Sequence, residues 1–146
     1  MNQIKTVCVY CGSGAGNNPR FVEAAKGLGK VFAENNVRLV YGGGSVGLMG
    51  AVAEAVLDNG GLVTGIIPEF LRARGNGLTR IQEMVVTPDM HDRRRWMFGR
   101  SDAFVALPGG IGTLEELVEQ LTWKQLGRHS KPVLLANIDD FWQPLL

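Results

Sequence analysis

The 146-residue sequence predicts a single α/β domain, spanning residues 1–146, with a doubly wound, Rossmann-like parallel sheet. Three observations predict it. Short apolar runs, too brief for helices, alternate with helical stretches six times along the chain. The runs are continuously apolar rather than alternating, as strands covered on both faces must be. Three of them (the first, second and fifth) lead into glycine-rich turns that open helices, where such a sheet offers its backbone to a ligand.

The first strand is read at 6–11 (TVCVYC), followed by Gly12-Ser13-Gly14-Ala15-Gly16 and a helix expected from Pro19 to about Asn35, since proline suits a first turn. The second strand, 38–41, runs into Gly42-Gly43-Gly44, and a second helix is expected from Gly47 to about Asn59. Tight packing seldom explains so many glycines at one helix start. The spacing Gly12-x-Gly14-x-Gly16 is not the dinucleotide fingerprint, and no acidic residue ends the second strand to meet ribose hydroxyls. A dinucleotide oxidoreductase is therefore disfavoured. Gly60-Gly61 ends the helix; a third strand is expected at 62–67, a polar loop at 72–79, and a fourth strand at 83–87. In the next helix, 90–100, Arg93 and Arg94 share a face with Met90, Met97 and the following Ser101, and flank the methionines. A guanidinium beside apolar surface needs a carboxylate or a phosphate, so the pair fits either a salt bridge between helices or an anionic ligand.

The chain is organised around residues 103–126. A strand at 103–107 ends in Pro108-Gly109-Gly110-Ile111-Gly112-Thr113, and the helix that follows puts Ile111, Leu114, Leu117, Val118 and Leu121 on one face. Free N–H groups and the helix dipole make this turn an anion site, with phosphate the expected anion. Glu116 lies one turn into that helix, beside whatever a bound phosphate carries. Thr113-x-x-Glu116 also fits a capping box, which needs no function. Gly127 ends the helix, a sixth strand is expected at 133–137, and another helix from about Phe141.

Composition narrows the classes. Hydrophobic residues make up 45% of the chain and the net charge is +1, which excludes a disordered chain and a general nucleic-acid binder. Charge is uneven, however: residues 72–100 hold seven arginines against three acids, a pattern that suits a small anion or a solvated arginine face. No run is apolar enough to span a membrane or lead secretion, so a cytoplasmic protein without membrane partners is expected. Cys8 and Cys11 lie within one strand, three residues apart and facing opposite sides, which suits packing rather than redox or zinc chemistry. No cofactor and no metal are expected.

Residues 108–116 (PGGIGTLEE) resemble the P-G-G-x-G-T-x-x-E signature of the "Lonely guy" (LOG) family, cytokinin-activating nucleoside 5′-monophosphate phosphoribohydrolases long labelled lysine decarboxylases. The stretch 41–50 (YGGGSVGLMG) is similar to that family's Y-G-G-G-x-x-G-L-M-G, and 90–97 (MHDRRRWM) to its M-H-x-R-K-x-x-M. The resemblance implies hydrolysis of the N-glycosidic bond of an adenine-type nucleoside 5′-monophosphate, in a homodimer whose subunits share site residues. It puts the catalytic arginine on Arg93, and the family's following lysine on Arg94. It also implies that the turns contribute Gly12, Ser13, Gly43 and Gly44, and that chains of this kind continue past Leu146. Read with the anion site, it assigns Glu116 the second catalytic role. Met90, Arg94, Gly109, Gly110, Gly112 and Thr113 complete the expected substrate contacts, and Met90, Trp96 and Met97 are candidates for a base or tail pocket. His91 fits the motif but reads as structural. Two rivals stand beside a hydrolase: a non-catalytic nucleotide or molybdenum-cofactor carrier, and a pyridoxal-phosphate decarboxylase, which needs a lysine in the pocket where the motifs supply none.

Overall fold

A computed structural model of the chain describes residues 3–75 and 77–146; Asn76, within the expected polar loop, lies outside the described residues. Six strands form one parallel sheet: β1 (Thr6–Tyr10), β2 (Arg38–Tyr41), β3 (Val63–Pro68), β4 (Glu83–Thr87), β5 (Ala103–Ala106) and β6 (Val133–Leu135). Their order is β4-β3-β2-β1-β5-β6. The chain winds outward from β1 to β4, then crosses back to β5 on the other side of β1. The direction of winding therefore reverses between β1 and β5, which pair in register from Val7 opposite Ala103 to Tyr10 opposite Ala106. A crevice opens beyond the carboxyl ends of strands at such a reversal.

Both faces of the sheet are covered, which is why the strands read as unbroken apolar runs. Alternate residues of β1 and the position just past it divide the core: Val7, Val9 and Cys11 pack beneath helices α1 (Pro19–Glu34) and α2 (Gly47–Asp58), while Cys8 and Tyr10 join Met97 and Phe104 on the opposite face. Helix α1 begins as expected, with Pro19 in its first turn and the Asn18 side chain accepting from Arg20 N–H. It lies close against α2 because a Cβ on Gly29 would stand 2.6 Å from the Val52 carbonyl oxygen. Gly47, at φ +61°, opens α2 where any side chain would overlap the Ser13 carbonyl, so the turns after β1 and β2 interlock. A four-residue helix, α3 (Glu69–Arg72), follows β3 where the sequence shows no helical period.

Helices α4 (Met90–Arg100) and α5 (Ile111–Gln125) cover the second face. Asp89 caps α4 by accepting from Asp92 N–H. Helix α5 departs from expectation in two ways. It starts at Ile111 on an N-cap of Gly110 with no side-chain cap, so Thr113 sits inside the helix and the Thr113-x-x-Glu116 capping box does not form. Its buried face is Thr113, Leu117 and Gln120, whereas Ile111, Val118 and Leu121 lie on the surface, Ile111 83% exposed. The polar residues are the ones that meet the protein: Thr113 packs under Gly109, where a Cβ would overlap its hydroxyl.

The chain end also differs from the expected helix. Two 3₁₀ turns, Ile138–Asp140 and Gln143–Leu145, follow β6. Pro144 lacks the N–H a continuing helix would use. Trp142 anchors the segment by donating its indole N–H to the Ala106 carbonyl at 3.2 Å, and Asp139 ties it to α1 through Asn18 and Arg20.

Candidate active site

The crevice at the β1/β5 reversal holds a cavity of about 390 Å³. Four elements build it: the turn after β1, the start of α2, the first turn of α4 and the first two turns of α5. The turns after β1 and β5 touch, since a Cβ on Gly109 would stand 3.0 Å from the Gly12 amide nitrogen. Beside that contact, the N–H groups of residues 111–113 begin α5 with neither a preceding turn nor a side-chain cap to satisfy them. Gly112 and Thr113, at the positive end of this 15-residue helix, line the cavity, a setting that favours negative charge.

Arg93 is buried, 5% exposed, and points from α4 across the ends of β2 and β3. Its Nε donates to the Ile66 carbonyl at 2.9 Å and its Nη2 to the Gly42 carbonyl at 2.8 Å. Gly42 is required for this, because a Cβ there would overlap Nη2. Nη1 meets only the Met90 sulfur, at 3.7 Å. Among the described residues no carboxylate lies within ion-pair distance of Arg93, so this buried cation, held by two carbonyls, lines the cavity without an anionic partner. Burial lowers its pKa, opposed first by Glu116.

Glu116 lines the same cavity from α5. Burial pushes its carboxyl up to about 7, with Arg93 and then Arg94 pulling it down and Glu115 and Glu119 raising it. A carboxyl in that range exchanges its proton near neutral pH, as a general acid or base must. Arg93 and Glu116 thus share one cavity and one another's field without neutralising each other.

Arg94 answers the choice between salt bridge and ligand differently. Its Nη1 donates to Glu115 at 2.6 Å, its Nε lies 3.5 Å from Glu119, and its Nη2 meets His91 Nδ1 at 2.9 Å. It clamps α4 to α5 at the cavity wall. His91 is exposed and serves this clamp, in keeping with a structural histidine.

Of the other expected contacts, Gly12, Ser13, Met90, Arg94, Gly110, Gly112 and Thr113 line the cavity, while Gly43, Gly44 and Gly109 do not. Gly43, at φ +83°, packs on Ile67 and Met84, and its carbonyl accepts from Leu78 N–H. Gly44 packs on Met49 and accepts from the Tyr41 hydroxyl. Trp96 and Met97 are absent from the cavity as well: Trp96 stacks under Arg100 on the surface and Met97 is core. Residues that sequence reasoning passed over are Cys11, Gly14, Met49 and Glu115. The signals were present in the glycine turn for Gly14 and in the LMG end of the second turn for Met49. Burial raises the Cys11 thiol to about 12 and holds the Cys8 thiol well above its ordinary value, and both stay free and protonated, on opposite faces of the sheet. No group of three or more metal-ligating side chains occurs among the described residues. No lysine lines the cavity.

Fold and cavity together define an α/β protein with a cavity at the reversal point of its parallel sheet, walled by glycine turns, a helix start, a buried arginine and a glutamate. Comparison with known proteins gives the family. Residues 49–146 match the family model described as "Possible lysine decarboxylase". The chain is 51% identical over 140 residues to the "Probable cytokinin riboside 5'-monophosphate phosphoribohydrolase LOGL1" of Oryza sativa subsp. japonica, covering 96% of this chain and 63% of that one. It is 50% identical to the "Cytokinin riboside 5'-monophosphate phosphoribohydrolase LOG7" of Arabidopsis thaliana, covering 99% and 67%. Among solved structures it is similar to the molybdenum cofactor binding protein of Rippkaea orientalis, with a TM-score of 0.75, 26% identity, and coverage of 92% and 77%. The moco carrier protein of Chlamydomonas reinhardtii shares the fold, with a TM-score of 0.75 at 24% identity, over 98% of this chain and 85% of that one. The chain belongs to the LOG family and spans about two thirds of the length of the plant relatives it matches.

Proposed function

We propose that this protein hydrolyses the N-glycosidic bond of adenine-type nucleoside 5′-monophosphates, AMP or a cytokinin riboside monophosphate, to free base and ribose 5-phosphate. The observation that carries the reading is Arg93 and Glu116 facing one cavity whose rim is the uncapped start of α5. The phosphate rests on the N–H groups of residues 111–113, with Gly12, Ser13 and Gly14 beside it. This places the ribose within reach of Glu116. As the bond between C1′ and the base nitrogen breaks, positive charge grows on the sugar, and the Glu116 carboxylate stabilises it. Water bonds to C1′ as the bond to the base nitrogen breaks, Glu116 takes the water's proton, and that proton passes on to the departing nitrogen, which returns Glu116 to the carboxylate. Arg93, fixed by two carbonyls, directs its free Nη1 toward the ribose and the leaving base.

The carrier reading rests on the fold neighbour from Rippkaea orientalis, which is described as binding molybdenum cofactor. It predicts nucleotide binding without turnover. The decarboxylase description needs a Schiff-base lysine, and the cavity lining contains none. A cytoplasmic homodimer without nucleic-acid or membrane partners completes the proposal. The apolar stripe of Ile111, Val118 and Leu121 on α5 supports a partner copy, since a surface of this kind gains from being covered. Among the described residues no helix is long and apolar enough to cross a membrane. Incubation with AMP and with isopentenyladenosine monophosphate, followed by chromatography for free base, tests the reading. Binding of both without base release would favour the carrier.

A further inference from the structure

Helix α5 carries Glu115, Glu116 and Glu119 within little more than one turn. Glu119 stands three residues from Glu116 and four from Glu115, so the like charges are neighbours on the helix surface and oppose one another. Arg94, on α4, meets the two that flank Glu116. Its Nη1 donates to Glu115 at 2.6 Å and its Nε lies 3.5 Å from Glu119. Its Nη2 stands 2.9 Å from His91 Nδ1, and because a guanidinium only donates, Nδ1 accepts. Arg94 lines the cavity, yet each of its three nitrogens faces a protein group, and its side chain is only 18% exposed. Glu116 makes no ion pair among the described residues, so burial and the field of its neighbours set its charge.

We propose that Arg94 is a positioning residue: it touches no ligand and acts through Glu116, tying the two neighbouring carboxylates to α4 so that the third stays available to the reaction. Its chemical consequence rests on the hydrolase reading above. The groups that face Glu116 come from three elements: Arg93 and Arg94 from α4, Glu115 and Glu119 from α5, and Cys8, Tyr10 and Cys11 from β1 and the position just past it. Burial raises both thiols and the Tyr10 phenol, so those three stay uncharged near neutral pH. Burial also disfavours the Glu116 carboxylate most; Arg93 and then Arg94 favour it, while Glu115 and Glu119 oppose it. Arg93 is fixed by the Ile66 and Gly42 carbonyls. Of the two cations, Arg94 is therefore the one that also pairs with the opposing acids. Without it, three carboxylates share one buried guanidinium, and Glu116 keeps its proton to higher pH. A protonated carboxyl can neither stabilise positive charge on the ribose nor take a proton from water.

The test follows Glu116 itself. In the ligand-free protein with isotope-labelled glutamate, its carboxyl signal is assigned by its loss in Glu116→Gln and titrated by NMR. In parallel, kcat/KM for adenine release from AMP is measured against pH, where the acidic limb reports the free enzyme. The substrate phosphate titrates at about 6 whichever variant is used, so differences between variants belong to the protein. Arg94→Gln is expected to move both midpoints up by about half a pH unit or more, with kcat/KM recovering once the limb is passed. Arg94→Lys keeps the charge and is expected to hold both close to the wild type. Glu119→Gln removes an opposing charge and is expected to move the Glu116 midpoint down, which decides the matter should Arg94→Gln fail to fold. An unmoved Glu116 midpoint in folded Arg94→Gln overturns the inference, whatever the loss of activity. So does an upward or absent shift in Glu119→Gln, or an upward shift in His91→Gln as large as that in Arg94→Gln. Absence of base release by the wild-type protein is the separate failure of the hydrolase reading, and the NMR titration is read without it.

Discussion

Glu116 should cost the folded protein stability in proportion to how far its environment resists the negative charge. Its carboxyl titrates near 7 in the native state and near 4.5 in an unpaired chain. Between those values the native state keeps a proton that the unfolded chain has lost, so native stability falls as pH rises through this window. Above about pH 7 the cost is complete. At 1.36 kcal/mol per pKa unit it amounts to roughly 3 kcal/mol, and to about 2 once partial access to the cavity's water is allowed for. Glu116→Gln keeps the shape and removes the charge. It should therefore stabilise the ligand-free protein by about 2–3 kcal/mol at pH 8 and by little at pH 4.5. In a 146-residue chain that corresponds to a rise of roughly 5–10 °C in Tm. Urea unfolding at both pH values, followed by circular dichroism, measures the difference. A Gln variant equally stable or less stable at pH 8, or a gain independent of pH, would refute the claim that burial governs this carboxyl.

Arg93→Ala leaves the Ile66 and Gly42 carbonyls without their donors and should cost about 1–3 kcal/mol in urea unfolding, alongside loss of base release. Gly42→Ala drives a methyl into Arg93 Nη2; it should lower stability by about 1–3 kcal/mol and depress turnover although it touches no ligand, as activity and melting assays would show together. The Arg100 guanidinium, bonded to both oxygens of Glu83 at 2.7 and 3.0 Å, holds that carboxyl at about 2. The stability this lends is present above about pH 4.5 and is lost as pH falls toward 2. Glu83 is partly exposed, so Arg100→Gln should cost under about 1 kcal/mol at pH 7, a penalty that shrinks in acid unfolding.

Much of this fold was legible because parallel strands announce themselves. β2, β4 and α4 fall where the apolar runs and the helical stretch place them, and β1 and β5 differ only by one residue at the carboxyl end. The glycine turn that opens α5 and the position of Glu116 one turn beyond it were legible for a local reason, a strand ending in glycines that open a helix. What the sequence could not show was which face of α5 the protein would use. Its apolar stripe pointed to Ile111 and Leu121, yet the buried contacts belong to Thr113 and Gln120, because the close approach of Gly109 fixes the helix's rotation. Arg93 and Arg94 are adjacent and chemically alike, and only the tertiary structure separates the one held by carbonyls from the one spent on Glu115 and Glu119. Gly43 and Gly44 look like ligand-lining glycines in a glycine run, whereas their bareness makes room for Ile67, Met84 and Met49. Long-range packing of this kind leaves no periodic mark.

The central claim is that one carboxyl and one fixed guanidinium break a glycosidic bond over a phosphate held by the α5 amides. Its most direct test is quantitative product analysis of AMP incubated with wild-type, Glu116→Gln and Arg93→Ala proteins, each shown to be folded. The account predicts adenine and ribose 5-phosphate in equal amounts from the wild type, and rates lower by about 10²–10⁴-fold in each variant. Undiminished adenine release by folded Glu116→Gln, or products other than these two from the wild type, would contradict it.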